Sequence, residues 1–503
     1  MIKLSDRNMI GRMCAALLLW ATTAVALPAQ TFTTLHDFSG TGTEGAIPTA
    51  GLVQGADGNF YGTTYLHGVH HLGTVYKISP SGTLTTLHSF NGMDGANPRA
   101  GLVLGTDGNF YGATFFGGIA PHPCDRKKGL GCGTVFKITP SGALTTLYSF
   151  CSQSNCTDGA EPYSGLIQGT DGAFYGTTPF GGAIACPEGC GTIFKITPSG
   201  TLTTLYTFCP NGIGYCDDGY FPYAGLTQST DGNFYGTTAD GGRHDFGTVF
   251  KITPGGMLTR LHSFCTQGDS CDDGYYPNAA LVQGNDGNFY GTTEFGGATQ
   301  LGNLFKVTPT GTLTVLYTFC PQGLYHCADG AAPIAPLIKG TDGNFYGSAA
   351  SYGANDGDFG TVFQITPSGT LTTLHSFGGT DGAGPLGALI QATNGEFYGT
   401  TSEGAASNCG SYGCGTVFSL SLGLGPFVET QPTFGNVGAT VSILGTDLNG
   451  ATEVTFHGVS TEFTVVSSSL ITATVPAGAT TGAVKVVTPS GTLSSNESFQ
   501  VLP

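Results

Sequence analysis

The sequence is poor in charge, because only 10% of its 503 residues are Asp, Glu, Lys or Arg, whereas 83 are glycine. This composition argues against an α-helical protein and favours short β-strands joined by tight turns. The charges that are present are unbalanced, and the formal net charge is −17. An acidic surface repels the phosphates of nucleic acids and anionic lipids, and the short run Arg126-Lys127-Lys128 does not offset it. We therefore expect no nucleic-acid partner.

The sequence also lacks a long hydrophobic run. Its most apolar segment, from Met13 to Ala26, is shorter than the roughly 20 residues that a helix needs to span a bilayer. Basic residues precede this segment, and Ala24-Val25-Ala26 offers a small-residue cleavage site. Residues 1–29 are thus predicted to be a signal peptide. The mature protein is expected to be secreted, into the extracellular space or the periplasm, without membrane insertion.

Catalytic signatures are missing as well. The sequence contains no His-Glu-x-x-His, no Gly-x-Ser-x-Gly and no phosphate-binding Gly-Lys-Ser/Thr motif. The mature chain has only the dispersed arginines Arg99, Arg126, Arg243 and Arg260, and the one tryptophan, Trp20, lies in the predicted signal peptide. These absences disfavour a sialidase-like propeller and favour a non-catalytic protein without a cofactor.

What the sequence does contain is a repeated phrase, Asp-Gly-Asn-Phe-Tyr-Gly-Thr-Thr or a close variant. It begins at Asp57, Asp107, Asp171, Asp231, Asp286, Asp342 and Asn394. Successive copies are 50 to 64 residues apart, a period typical of solenoids, propellers and other tandem arrays. Every residue can therefore be compared with its equivalents in the other repeats.

One repeat is long enough for four strands. In the second repeat, residues 100–105 and 109–114 flank Asp107-Gly108, a strong signal for a two-residue hairpin turn in which both positions need positive φ. Residues 133–139 and 143–150 follow as two more strands, separated by a Pro-Ser-Gly turn. Four strands per repeat predict one blade of a β-propeller, and seven repeats predict seven blades.

The two ends of the repeat region depart from the four-strand pattern in complementary ways. A strand-like segment, Thr31 to Phe38, precedes the first repeat, and the seventh repeat lacks a fourth strand after Gly415 to Leu420. The N-terminal strand is therefore predicted to complete the last blade. After Leu424-Gly425-Pro426 the pattern changes to short alternating strands that are typical of a small β-sandwich. The predicted all-β organisation is a signal peptide (1–29), a seven-bladed propeller (30–421), a linker (422–426) and an Ig-like sandwich (427–503).

Fourteen cysteines remain in the mature chain and fall into local pairs. These are Cys124/Cys132, Cys151/Cys156, Cys186/Cys190, Cys209/Cys216, Cys265/Cys271, Cys320/Cys327 and Cys409/Cys414. In an exported protein such pairs indicate disulfides, although sequence alone leaves the connectivity open. All pairs lie in the two loop types that emerge on one face of a propeller. A stiffened, variable loop face on a repeated scaffold favours binding there.

The best candidates for a binding site are aromatic and acidic residues that break the repeat in the middle blades. They are Tyr163, Asp217, Asp218, Tyr220, Tyr223, Asp272, Asp273, Tyr275 and Tyr276. Tyrosine rings offer an apolar face and a polar hydroxyl, so this set predicts a patch that stacks on and hydrogen-bonds to sugars. The alternative is that these tyrosines only pack at loop interfaces. Paired carboxylates among the four aspartates would instead permit glycosidic chemistry.

Other recurring residues have a structural explanation. One acidic residue leads each loop between successive repeats: Glu44, Asp94, Asp158, Asp218, Asp273, Asp329 and Asp381. These carboxylates either surround the channel mouth and bind a cation or cap their own turns, and the second interpretation is favoured. The Phe-Tyr pair of each repeat is expected to fill the space between blades. His67, His70 and His71 share a loop without a nearby carboxylate or cysteine, so no metal site is expected.

Two family resemblances follow from these motifs. The repeat phrase, followed by Gly-Thr-Val-Phe-Lys-Ile-Thr-Pro-Ser-Gly, resembles the GloVer tandem repeat of exported bacterial proteins over residues 31–421. Residues 432–445, with Pro-x-x-Gly-x-x-Gly-x-x-Val-x-Ile-x-Gly, resemble the TIG (IPT) immunoglobulin-like domain. The resemblance implies a secreted or surface-anchored protein whose C-terminal domain is a spacer or adhesion module. Because the sequence ends at Pro503 without an apolar segment, we expect no membrane anchor there, in contrast to the anchored members.

The sequence therefore predicts a secreted, monomeric, non-catalytic binding or adhesion protein. Its loop face would contact an extracellular polysaccharide or a surface protein. A polysaccharide hydrolase or lyase, with carboxylates and tyrosines at the channel mouth, is the first alternative. A structural component of the cell envelope without a discrete ligand is the second.

Overall fold

The computed structural model describes residues 30–502 apart from 120–123, 125–128, 183–185, 187, 211–215, 266–270, 324–326, 356, 406–408 and 410–412. The predicted signal peptide lies outside the described residues. Within them, Ser154–Cys156 forms a short 3-10 turn. No helix of the described part is long and apolar enough to cross a membrane.

Seven four-stranded antiparallel sheets follow the seven repeats, and we name their strands A to D in repeat order. The A strands are Val53–Gln54, Val103–Leu104, Ile167–Gln168, Thr227–Gln228, Val282–Gln283, Ile338–Lys339 and Ile390–Gln391. The B strands are Phe60–Thr64, Phe110–Thr114, Phe174–Thr178, Phe234–Thr238, Phe289–Thr293, Phe345–Ala349 and Phe397–Thr401.

The C strands are Thr74–Ile78, Thr134–Ile138, Thr192–Ile196, Thr248–Ile252, Asn303–Val307, Thr361–Ile365 and Thr416–Ser421. The D strands of the first six sheets are Leu84–Ser89, Leu144–Ser149, Leu202–Thr207, Leu258–Ser263, Leu313–Thr318 and Leu371–Ser376. In the seventh sheet the D position is occupied by Thr31–Asp37, which pairs antiparallel with Thr416–Ser421, where the sequence placed it. A separate two-stranded ribbon joins Gly45–Ala46 to Leu66–His67.

The A strands are shorter than predicted. In the second repeat the sequence suggested a strand over residues 100–105, but only Val103–Leu104 pairs with the B strand. The residues before it bond to the neighbouring sheet instead, because the Thr63 hydroxyl donates to the Ala100 carbonyl at 3.0 Å. Where the A segments approach one another, side-chain hydrogen bonds between neighbouring blades thus replace the backbone hydrogen bonds between strands A and B.

The Asp-Gly turns also differ from the predicted type. Gly108 has a φ of +76°, whereas Asp107 does not have positive φ. The Gly105 N–H donates to the Asn109 carbonyl at 2.8 Å, so the loop is wider than a two-residue turn. The Asp107 carboxylate stabilises this loop by accepting hydrogen bonds from Asn109 and from the Tyr111 hydroxyl, the latter at 2.8 Å. Aspartate is needed here for its oxygens and not for an unusual backbone conformation.

Every boundary between sheets contains the same aromatic pair, as the sequence predicted. A B-strand tyrosine packs on the B-strand phenylalanine of the next sheet, with ring centroids 3.9–4.2 Å apart. The pair Phe60–Tyr398 joins the seventh sheet to the first. All of these side chains are nearly inaccessible to solvent. Each pair is expected to stabilise its boundary by about 0.5–1.5 kcal/mol beyond the burial of its area.

A second contact at each boundary joins a proline to a glycine. The proline of each D-to-A loop lies against the glycine that precedes the C strand of the preceding sheet. A Cβ placed on any of these glycines would lie 2.5–2.8 Å from the proline Cδ. Pro48 and Gly415 make this contact between the first and seventh sheets, and the Ile47 N–H donates to the Cys414 carbonyl at 2.8 Å.

The C-terminal residues form an Ig-like β-sandwich. One sheet contains Glu429–Gln431, Thr440–Leu444, Leu470–Thr474 and Phe463–Ser467, and the other contains Val459–Ser460, Glu453–Phe456, Val484–Thr488 and Gly491–Ser494. Phe434–Asn436 pairs in parallel with Gln500–Leu502. The two sheets enclose a core that includes Ile443, Phe456, Ile471 and Val486. The predicted fold class, a β-propeller with an Ig-like sandwich, is confirmed.

The sandwich packs against the face of the propeller that carries the Asp-Gly turns. The Ser469 hydroxyl donates to the Ala56 carbonyl at 2.8 Å, and the buried Lys339 ammonium lies 2.9 Å from the Glu497 carboxylate. Leu444 joins the cluster that contains Tyr61 and Phe110. The sandwich therefore covers one end of the space between the A strands and leaves the loop face uncovered.

We expect Gly415→Ala to destabilise the boundary between the first and seventh sheets. Gly415 has a φ of +88°, and an added Cβ would clash with Pro48 and with the Thr401 carbonyl. The free energy of unfolding should fall by roughly 2–4 kcal/mol, as measured by chemical denaturation. Gly425→Ala is the matched control, because no atom lies within 4 Å of its added Cβ. Equal stability of the two variants would contradict this role of Gly415.

A candidate binding site at the channel mouth

Seven equivalent residues, one from each repeat, line the open end of the central channel that the A strands surround. Each directly follows the proline of a D-to-A loop, and they are Thr49, Arg99, Tyr163, Tyr223, Asn278, Ile334 and Leu386. Together with Glu294 they enclose a cavity of about 390 Å³, within the size range of small-ligand sites. We call this cavity the mouth. The proline before these residues is constant, whereas the residues themselves differ in charge, size and polarity.

Arg99 is held at the mouth by aromatic side chains. Its guanidinium carbon lies 4.5 Å from the centre of the Tyr65 ring and 5.1 Å from the centres of the Phe115 and Tyr163 rings. The two terminal nitrogens donate to the hydroxyls of Tyr65 and Tyr163, both at 3.3 Å. Cation–π attraction stabilises such an arrangement by roughly 0.5–2 kcal/mol per ring.

Two tyrosines continue the wall of the mouth beside Arg99. The rings of Tyr163 and Tyr223 meet edge to face, with centroids 5.2 Å apart. Tyr163 is one of the few large apolar side chains that remain exposed, at 36% of its surface. Burial, together with the charge of Asp240, raises the pKa of Tyr223 to about 12. The Tyr223 hydroxyl therefore stays protonated and available as a hydrogen-bond donor at neutral pH.

The far wall of the mouth contains an amide and a carboxylate. The Asn278 side-chain amide donates to the Glu294 carboxylate at 2.6 Å. Burial raises the pKa of Glu294, and the hydrogen bond from Asn278 offsets part of this effect. Ile334 and Leu386 complete the wall with aliphatic surface. The mouth thus combines one cation, one carboxylate, two phenols and an apolar side.

Several polar atoms around the mouth have no hydrogen-bond partner among the described residues. They are Thr49 Oγ1, Arg99 Nε and Asn278 Oδ1, and all three are buried. A buried polar atom without a partner costs about 1–3 kcal/mol. Three such atoms in one cavity are typical of a site where water or a ligand supplies the missing bonds.

The structure separates the residues that the sequence grouped as one patch. Tyr163 and Tyr223 lie in the mouth. The exposed Asp217 forms an ion pair with Arg260, with Oδ1 3.1 Å from the guanidinium. Asp272 is exposed, and its carbonyl accepts a hydrogen bond from Asn303 at 2.9 Å.

Asp218 and Asp273 belong to a contact that recurs in every blade. The acidic residue that leads each D-to-A loop binds a His or Tyr of the preceding D strand at 2.5–3.0 Å. The pairs are His36–Glu44, His88–Asp94, Tyr148–Asp158, Tyr206–Asp218, His262–Asp273, Tyr317–Asp329 and His375–Asp381. Backbone N–H groups of the loops, such as those of Cys209 and Cys265, bind the same carboxylates. The capping interpretation is confirmed, and a ring of these carboxylates around the channel is wrong.

The remaining predicted tyrosines contact carboxylates that sequence reasoning did not single out. Burial and the nearby carboxylate of Asp245 raise the pKa of Tyr220, and burial and the nearby carboxylate of Asp240 raise the pKa of Tyr276. Burial and the nearby charge of Asp245 raise the pKa of Asp240 to about 6. Tyr275 packs between the rings of Phe246 and Phe295, with centroids 5.5 and 5.6 Å away. This cluster braces the loops beside the mouth.

All seven predicted disulfides are present with the predicted pairing. The bridges are Cys124–Cys132, Cys151–Cys156, Cys186–Cys190, Cys209–Cys216, Cys265–Cys271, Cys320–Cys327 and Cys409–Cys414. The connectivity that the sequence left open is therefore local in every case. Each bridge closes a single loop, and none joins two blades.

The disulfides are more deeply buried than the sequence predicted. The sequence placed all of them on a loop face, but the second cysteine of most pairs is buried, as are Cys190, Cys216, Cys271 and Cys327. Cys190 and Cys216 belong to the apolar cluster that contains Phe208, and Cys327 packs with Cys320 and Ala331. These sulfurs therefore anchor the loops to the core beneath them and offer little surface to a ligand.

No free metal-binding group is found among the described residues. One set of three sulfurs, those of Cys132, Cys151 and Cys156, is close enough to hold an ion, but each sulfur is already in a disulfide. These sulfurs are therefore not free to bind a metal ion. The histidine loop brings the rings of His67 and His71 to 5.9 Å.

Sequence reasoning missed Thr49, Arg99, Asn278 and Glu294. A signal for the first three was present, because the residue after the loop proline varies widely while its neighbours are nearly constant. Glu294 follows the B strand directly, at the position where the first two repeats have Tyr65 and Phe115. A position whose residue varies among otherwise similar repeats therefore indicates the mouth better than a high content of aromatic residues in a loop does.

We expect Asp240→Asn to stabilise the protein at pH 8 but not at pH 4. The folded-state pKa of Asp240, about 6, is above the ordinary value, so ionisation opposes folding once the pH exceeds about 4. Asparagine keeps an acceptor for Tyr276 and removes this cost, which is about 1 kcal/mol after solvent screening. Urea unfolding at both pH values measures the difference. Exposed Asp272→Asn is the control, and the same gain at both pH values would contradict the assignment.

Comparison with solved structures gives loose similarities only. The gluconolactonase XC5397 from Xanthomonas campestris is 14% identical, with 64% of this chain and 86% of that chain covered and a TM-score of 0.37. The PQQ-bound aldose sugar dehydrogenase from Streptomyces coelicolor is 13% identical, with 78% and 98% covered and a TM-score of 0.38. Such values carry no information on activity. Comparison with curated proteins finds no match.

Family models give a specific result. The IPT/TIG domain model matches residues 428–501, which contain the sandwich. The model of the Gloeobacter/Verrucomicrobia repeat matches residues 22–152, 126–329 and 322–462, and these segments together include all seven propeller sheets. The chain therefore belongs to the Gloeobacter/Verrucomicrobia repeat family.

Proposed function

We propose that this protein is a secreted, non-catalytic binding protein that holds an extracellular carbohydrate in the mouth. The observation that carries the proposal is the composition of the mouth. Tyr163 and Tyr223 offer aromatic rings, and unpartnered polar atoms of Thr49 and Asn278 lie in the same cavity. A sugar ring has apolar C–H faces and hydroxyls around its edge, and this combination matches it.

A binding role is favoured over glycoside hydrolysis by the number of carboxylates. Hydrolysis generally needs two carboxyl groups that flank one glycosidic bond. Among the described residues that line the mouth, Glu294 is the only carboxylate. The aspartates that the sequence offered for this role bind other partners, such as Arg260, Tyr206 and His262.

The arrangement of the two domains suits a protein that presents one face. The sandwich occupies the turn face, through contacts such as Ser469–Ala56 and Lys339–Glu497, and the disulfide-stiffened loops occupy the opposite face. A polysaccharide chain is therefore expected to approach the mouth without obstruction by the sandwich. Seven disulfides in one chain support an oxidising, extracytoplasmic location.

The test compares the mouth with the neighbouring tyrosine cluster. Residues 30–503 are purified, and retention on a panel of polysaccharides is measured by affinity electrophoresis together with reducing-end release. The double variant Tyr163→Ala, Tyr223→Ala should bind at least ~10-fold more weakly than the parent, because each ring contributes about 0.5–1.5 kcal/mol in addition to the burial of its area. No reducing ends should appear.

Matched variants Tyr220→Ala and Tyr275→Ala remove tyrosines from the same face but outside the mouth. They should retain parental binding, with thermal melting used to verify folding. Loss of retention in these variants alone would place the site in the patch that the sequence suggested. Product release would favour a hydrolase or lyase, and retention of no polysaccharide would favour a structural envelope component.

A further inference from the structure

Arg99 is a positive charge without a carboxylate partner in the described part of the protein. The ion pairs found there include Arg260 and several lysines and histidines but not Arg99. Its contacts are three aromatic rings and two phenol hydroxyls. These neighbours orient the guanidinium without neutralising it, so the charge remains available to a ligand.

The surroundings make an unpaired arginine unusual. The chain has 33 acidic and 16 basic residues, and an acidic protein readily supplies carboxylates to its arginines. At the equivalent position the other repeats have Thr, Tyr, Tyr, Asn, Ile and Leu. Tyr65 and Phe115, which form two sides of the aromatic enclosure, also break the repeat, since the equivalent residues are Pro179, Ala239, Glu294, Ala350 and Ser402. A cation and its enclosure therefore occur together at one point of the mouth.

The hydrogen bonds that Arg99 makes are also replaceable. Both phenol contacts are 3.3 Å long, longer than the usual ~2.7–2.9 Å of a charge-assisted bond. The Nε–H group has no acceptor among the described residues. A planar carboxylate matches two neighbouring N–H groups of a guanidinium and gives shorter, stronger bonds than two phenols do.

We propose that the mouth selects an acidic polysaccharide and that Arg99 binds the carboxylate of a uronic acid residue. This inference rests on the proposed carbohydrate-binding function. Tyr163, which contacts Arg99 directly, is placed to stack on the ring that bears the carboxylate. Asn278 and Thr49 face the hydroxyls of the same or the adjacent sugar, and Glu294, on the opposite wall, disfavours a second carboxylate there.

The experiment compares one polymer in two charge states. Binding of the mature protein is measured by calorimetry against polygalacturonate and against the same polymer after reduction of its carboxyl groups to alcohols. We expect the parent to bind the uronate form at least ~10-fold more tightly. Arg99→Gln should lose this preference and bind the two polymers with similar affinity, and Arg99→Lys should recover only part of the preference, because lysine lacks the planar fork.

Arg243→Gln is the matched control, because Arg243 is an exposed arginine on the same loop face outside the mouth. It should keep the parental preference, and thermal melting verifies the fold of each variant. Equal binding of the two polymers by the parent, or an unchanged preference in Arg99→Gln, overturns the selection of uronate while leaving carbohydrate binding intact. Absence of binding to both polymers and to the wider panel overturns the proposed function as well.

Discussion

The structure depends on one contact, the packing of a tyrosine ring on the phenylalanine ring of the next blade. Seven such pairs are buried at seven boundaries. The tyrosine hydroxyl is tied to a turn, as Tyr111 is to Asp107 at 2.8 Å, so each boundary is linked to the turn that shapes its own hairpin. Because neighbouring blades share this contact, a change in one copy alters two sheets.

This repeated boundary also determines where the protein varies. Few substitutions are tolerated at the positions that form the boundaries and turns, since each side chain there fills a space defined by its neighbours. These positions are the Phe-Tyr pair, the Asp-Gly turn, and the proline and glycine that meet between blades. The residue after the proline projects past the last boundary contact into the mouth, and it varies from Arg99 to Leu386. Seven similar blades thus support a mouth whose lining differs from side to side. The positive charge, the aromatic rings and the aliphatic side chains lie on different sides of the mouth.

The C-terminal sandwich gives the ring two unlike faces. Its contacts use the turn face, where Ala56 and Lys339 meet Ser469 and Glu497. The loops that carry the disulfides and the mouth are on the other side. Recognition by Arg99 and the tyrosines would then take place on the face directed away from the sandwich, in agreement with a spacer role for such a domain.

The sequence by itself determined the repeat, the order of the strands, the grouping of the cysteines into local pairs and the place of the N-terminal strand beside Thr416–Ser421, because these follow from local patterns and from counting. The connectivity of the disulfides came from the structure. The sequence did not determine that the A strands shorten, that Asp218 and Asp273 bind Tyr206 and His262, or that the sandwich packs on the turn face. Nor did it bring Arg99, Tyr163 and Asn278 together. These residues are one to three repeats apart in the chain, and only the arrangement of the blades around one axis makes them neighbours.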